Sequence, residues 1–202
     1  MNRFIDVANV TPYTLTGSRP LKKLQYGQIC NVMRESMNPN NAEIALQTKE
    51  SICAAAAQLL ISNKDITVTS ICRAAGVSRN AFYRNFESID NVFIYHLIVG
   101  WAKYADQYKV AEGPQAEVMK HLIRYFFDKK EYILSLKKHS LVHLVEQLFV
   151  KVIVPQDSTG AIRYTLYGTA YFTYGIIRAM IDNDFRDSPD EIGEMFKQKA
   201  QS

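Results

Sequence analysis

The sequence predicts an all-α fold, with a helix-turn-helix unit followed by a larger helical body. Three observations carry this. From Ala42 onward, apolar residues recur at the three- and four-residue spacing of one helix face. No alternating strand pattern bounded by hairpin turns interrupts them. Helix-start residues, above all the "SPDE" of 188–191, fall where the periodic segments begin.

Composition agrees with a globular chain. Of 202 residues, 48% are hydrophobic and 22% charged. The net charge of +4 is unevenly spread, with five basic against two acidic groups in residues 1–42 and five against five in residues 43–93. Cys30, Cys53 and Cys72 are odd in number and lack a C-x-x-C pair, which argues against a disulfide framework and against a zinc knuckle. We therefore expect a cytoplasmic protein. No run approaches the roughly 18 apolar residues of a membrane span, and no apolar block leads to a cleavage site near the N-terminus.

Residues 1–42 show no sustained period and contain the breakers Pro12, Gly17, Pro20, Gly27 and Pro39. They read as a flexible or poorly ordered extension. Met33 and Met37 leave open a later start, and Arg19, Lys22 and Lys23 leave open a basic arm along nucleic acid. Residues 43–93 form the first domain. Ile52, Ala55, Ala56, Leu59 and Leu60 define one face of a helix over 43–62. Thr67 is placed to cap a short helix through Ala75, Gly76 supplies a turn with positive φ, and Ser78 caps the next helix. Ser88 caps a long helix to about Val110, and "EGPQ" stops it. Residues 94–202 form the second domain, with further helices expected over 115–128, 131–138, 140–153, 160–183 and 189–200.

Two short helices around a glycine turn suit entry of the second helix into a DNA major groove. Ala74, Ala75 and Gly76 allow a close crossing. Arg79, Asn80, Tyr83 and Arg84 supply donors for phosphates and base edges, and Phe82 and Phe86 supply a buried anchor.

The run "ITVTSICRAAGVSRNAFYRNFESIDNVF", preceded by "TKESICAAAAQLL", resembles the DNA-binding signature of the tetracycline-repressor (TetR) family, "tv..ia..aGvs.gtfY.yF.sKe.l", over residues 48–93. The resemblance implies that Thr67 and Thr69 approach the DNA backbone. It implies that Ser78, Arg79, Asn80 and Ala81 open the recognition helix and that Tyr83 and Arg84 contact phosphates. Thr48, at the head of the first helix, would add a phosphate contact. Ile89 stands where the family has lysine, and the lost contact should make the salt dependence shallower by about 0.9 in slope.

The same resemblance implies that the second domain is a ligand-binding and dimerisation body. "YGTAYFTYGIIRAMIDNDFRDSPDEIGEMF" is similar to the family's usual ending, with Met180 where tryptophan is frequent. Ala161, Gly168 and Gly175 recur every seven residues, a strip along which a second helix could approach. Ile162, Leu166, Ala170, Ile176, Ile177 and Met180 read as an apolar stripe beside it, so Ala161, Gly168, Gly175, Ile176 and Met180 are the expected dimer contacts. Tyr104, Tyr108, His121, Tyr125, His139, His143, Tyr167 and Tyr171 are the candidate ligand-pocket residues. His139 and His143, four apart with Glu146 a turn later, also have a metal-like spacing, which we read as pocket lining; no metal or other cofactor is expected.

The expectation is a homodimeric TetR-like regulator, a repressor on palindromic double-stranded operator DNA released by an unidentified small-molecule inducer. The alternative is a TetR-like chain that has lost DNA binding and serves as a protein-interaction or ligand-sequestering module. An enzyme is not expected, since no Ser-His-Asp ordering, phosphate loop or H-E-x-x-H occurs.

Overall fold

A computed structural model of the chain describes residues 39–110 and 115–199. Residues 1–38, with Cys30 and the basic group Arg19, Lys22 and Lys23, lie outside the described residues. The described residues are all-helical and contain no strand. The helices are α1 (Pro39–Ile61), α2 (Val68–Ala75), α3 (Arg79–Asn85), α4 (Ile89–Gln107), α5 (Gln115–Asp128), α6 (Lys130–Lys138), α7 (His143–Ile153), α8 (Gly160–Asp182) and α9 (Pro189–Lys199).

Local chemistry sets most of the boundaries. α1 begins at Pro39, so the last residues assigned to an irregular extension, 39–42, are helical. Proline suits a first helical turn because its missing N–H would have no intrahelical partner there. Ser88 caps α4 by accepting from the Asn91 N–H at 3.2 Å. α7 starts at His143, three residues later than the sequence suggests. The cause is Ser140, whose φ of +60° closes α6 in a left-handed turn while the Leu141 N–H reaches the Leu136 carbonyl at 2.8 Å. α8 ends similarly, with Asp184 and Phe185 at positive φ and the Phe185 N–H on the Met180 carbonyl at 2.8 Å. At α9 the expected capping box is present: the Ser188 N–H donates to Glu191 Oε2 at 2.7 Å and the Glu191 N–H to Ser188 Oγ at 3.3 Å.

α1 is the hinge of the packing. It touches α2, α3 and α4, and it also packs on α6. α4 in turn lies on α7, and α7 on α8. Ile52, Ala56, Leu60, Ile71, Phe82, Phe93, Leu97, Ile133, Leu144 and Ile177 belong to one continuous buried cluster, so the small N-terminal helices share a core with the rest. No helix among the described residues is long and apolar enough to cross a membrane.

Candidate functional site

α2, the turn after it and α3 owe their geometry to three short-range devices. Thr67 Oγ1 accepts from the Ser70 N–H at 3.0 Å, and the Thr67 N–H donates to Ser70 Oγ at 2.9 Å, a reciprocal cap at the start of α2. Gly76 follows at φ +67°, where its N–H and that of Val77 close onto Arg73 and Cys72 carbonyls. Ser78 Oγ then accepts from the Ala81 N–H at 3.1 Å and starts α3. Phe82 and Phe86 are buried, with ring centroids 6.1 Å apart, and Phe86 meets Tyr95 of α4 edge-on at 5.4 Å. The inward anchor turns the rest of α3 out: Arg79, Asn80, Tyr83 and Arg84 are exposed, as are Thr67, Thr69 and Ser78, while Ala81 is half-buried.

Thr48 departs from expectation. Because α1 begins nine residues earlier, Thr48 lies within the helix and its hydroxyl donates to the Ile44 carbonyl at 2.8 Å. It presents no open helix N-terminus to a phosphate. Ile89 is half-buried and packed against the core.

The eight candidate pocket residues separate into three groups. Tyr104, Tyr108, His121 and Tyr125 meet where α4 and α5 come together. Tyr104 is the hub: its ring lies 4.5 Å from Tyr108, 5.5 Å from Tyr125 and 5.6 Å from Trp101, and its hydroxyl is 3.3 Å from His121 Nδ1. Burial, with Asp128 nearby, raises the Tyr104 phenol above its ordinary range. Tyr125 is buried and donates to the Leu97 carbonyl at 3.0 Å. Tyr167 and Tyr171 form a second group on α8, stacked at 6.4 Å, with the Tyr171 hydroxyl donating to Glu146 Oε1 at 2.9 Å. His139 and His143 form the third. Their Nδ1 atoms lie 2.9 Å from the Ser135 carbonyl and 3.3 Å from the Ser140 carbonyl, so each ring is engaged locally. Among the described residues, no group of three or more His, Cys, Asp or Glu side chains could hold a metal ion.

No protein-family model, curated protein or solved structure matches this chain. The geometry therefore has to speak for itself.

Along α8, Ala161, Gly168 and Gly175 are exposed, with Phe172 between the glycines at 57% exposure. A Cβ added at Gly168 or Gly175 would meet nothing within 4 Å, so nothing inside the single chain requires glycine there. Beside this strip an open groove of about 600 Å³ is lined by Tyr171, Phe172, Ile176, Met195 and Phe196. The apolar stripe divides differently from the expectation. Ala170, Ile177 and Met180 face the chain's own core, Met180 at 5% exposure, whereas Ile162 and Phe172 stay exposed. Met180 therefore offers little surface to a second chain.

Two pairings escaped the sequence reading. Lys137 of α6 crosses to the end of α8, donating to the Ile181 carbonyl at 2.9 Å and Asp184 Oδ1 at 2.7 Å. Tyr132 of α6 is buried beside His96 of α4, with ring centroids 5.0 Å apart, and its hydroxyl has no hydrogen-bond partner. A lysine near a helix end gives the first a faint signal in sequence. The second pairing joins residues far apart in the chain, and no local pattern could have shown it.

Proposed function

We propose that the chain is a TetR-like DNA-binding transcriptional regulator, a ligand-released repressor that acts as a homodimer on a palindromic operator. The observation that carries this reading is the exposed side of α3. Arg79, Asn80, Tyr83 and Arg84 stand exposed on a helix positioned by the Ser78 cap, the Gly76 turn and the Phe82–Phe86 anchor. A capped helix with guanidinium, amide and phenol groups exposed along it has the chemistry of groove entry: arginine for guanine or phosphate, asparagine for adenine, tyrosine for phosphate.

The strip of Ala161, Gly168 and Gly175, with exposed Phe172, Met195 and Phe196, supports association of α8 and α9 with a second copy. Two such copies would address two half-sites on one face of the duplex, about 34–36 Å apart or a multiple of that. The aromatic group around Tyr104 is the favoured inducer-responsive region. An inducer acts by binding the DNA-incompetent arrangement more tightly, typically by about 1–3 kcal/mol.

Selection of bound fragments from the chain's own genome, followed by footprinting, tests the reading. The expected outcome is a short protected palindrome with two symmetric half-sites. Recovery of random fragments with no common sequence would instead favour the module that has lost DNA binding.

A further inference from the structure

The groove between α8 and α9 and the outer seam of α8 have matching shapes. The groove holds about 600 Å³; along α8 it runs from Tyr171 to Met180, and Met195 and Phe196 of α9 also line it. On the seam, Thr165, Gly168, Phe172, Gly175 and Ala179 recur at alternating spacings of three and four, the period at which one helix meets another. One large side chain stands among small ones. Phe172 is exposed and is the knob of this seam, while Gly168 and Gly175, where an added Cβ meets nothing within 4 Å, are its holes. The groove decides between the two holes, because it includes Gly175 and stops short of Gly168.

Shape and charge both give the seam a direction. Residues 160–171 carry one charged side chain, Arg163, which donates to the Ser158 carbonyl at 3.3 Å and has no carboxylate partner among the described residues. Residues 182–187 carry Asp182, Asp184 and Asp187 against Arg186. Asp187 accepts from the Asn183 amide at 2.6 Å and is in no ion pair among the described residues. A parallel pair of α8 helices sets Arg163 beside the partner's Arg163 and Phe172 beside the partner's Phe172, and it leaves the groove open. An antiparallel pair sets Arg163 toward the partner's acidic end and Phe172 over the partner's Gly175. Exposed charges add little strength, but like charges opposed disfavour the parallel arrangement.

We propose that two copies pair antiparallel along α8, with the Phe172 ring of each seated over Gly175 in the α8–α9 groove of the other. Two-fold symmetry makes the contact reciprocal, 172 on 175 and 175 on 172. The same register sets Gly168 against the partner's Ala179, two small residues that let the backbones approach. This pairing rests on the homodimer reading above and adds its direction and register.

The test is sedimentation equilibrium of the full chain at micromolar concentration, with circular dichroism to check that each variant is folded. The wild type should be a dimer. Phe172→Ala should raise the dimer Kd by about tenfold or more by removing the knob, and Gly175→Phe should do the same by filling the hole. Both positions are exposed in the single chain, so the helical signal should stay at the wild-type level. The double variant Phe172→Ala/Gly175→Phe exchanges knob and hole and should dimerise about tenfold more tightly than Gly175→Phe alone. A wild-type monomer would overturn the homodimer reading and the pairing together. A wild-type dimer that both single variants leave intact would overturn the pairing while the homodimer reading stands. Failure of the double variant to recover the dimer would overturn the register, and recovery by Phe172→Ala/Gly168→Phe in its place would move the knob to Gly168.

Discussion

Gly76 shows how a single residue sets the geometry of the exposed helix. At φ +67° it lies in the region where a side chain costs about 1–2 kcal/mol, yet a Cβ there would touch nothing. Gly76→Ala should therefore lower stability by about that amount through the backbone alone, as a denaturant titration would report. Gly100 is the opposite case. Its added Cβ would sit 2.5 Å from the Tyr125 hydroxyl oxygen, so Gly100→Ala should force Tyr125 off the Leu97 carbonyl and destabilise the chain more than Gly76→Ala. Equal losses would show that the Tyr125 contact yields freely. At His96 the folded state favours the neutral ring, since burial lowers its pKa below the ordinary 6.5. Its contribution is full above 6.5 and is lost as pH falls below that value, where the unfolded chain takes up the proton first. Melting at pH 8 and pH 5.5 should show a larger drop for wild type than for His96→Leu. Gly76 and Ser78 were legible in the sequence because glycine and serine have narrow local roles. Ser140 was not, because serine rarely adopts positive φ and nothing nearby marks it.

Among the elements, α4 and α6 join α1 to the larger helical body. α4 lies on α1 and α7 and carries Trp101, stacked on Tyr104 at 5.6 Å. In the repressor reading, Trp101→Ala should change the inducer response more than operator affinity without ligand; equal effects would contradict α4 as the link. α6 makes a second connection that periodicity alone could not reveal, since Lys137 ties it to the end of α8 and the helix also packs on α1. The helices themselves were legible from caps and periodicity. Their faces were less so. Ala170, Ile177 and Met180 share a helical stripe with Ile176, but a stripe does not say whether the chain's own core or a second chain covers it. The eight candidate pocket residues likewise separated into three groups, because aromatic composition carries no distance information.

For the whole molecule, the described residues form one core, with exposed apolar residues on α8 and α9 and exposed polar residues along α3. The first surface predicts assembly. Phe172→Glu should convert a dimer to a monomer in native mass spectrometry with little change in the helical signal; a wild-type monomer at micromolar concentration would contradict it. The second surface bears the central claim. Its direct measurement is a titration of the purified chain against a fluorescent duplex from its own upstream DNA at several salt concentrations, beside Arg79→Ala and Tyr83→Ala. The account predicts tight, salt-dependent binding that Arg79→Ala weakens by about 1–3 kcal/mol if it reads a base, or with a salt slope shallower by about 0.9 if it meets a phosphate. Tyr83→Ala, whose parent side chain is 53% exposed, should also weaken it with no loss of stability. Binding that both variants retain at the wild-type level would contradict the assignment of α3 as the DNA-reading helix.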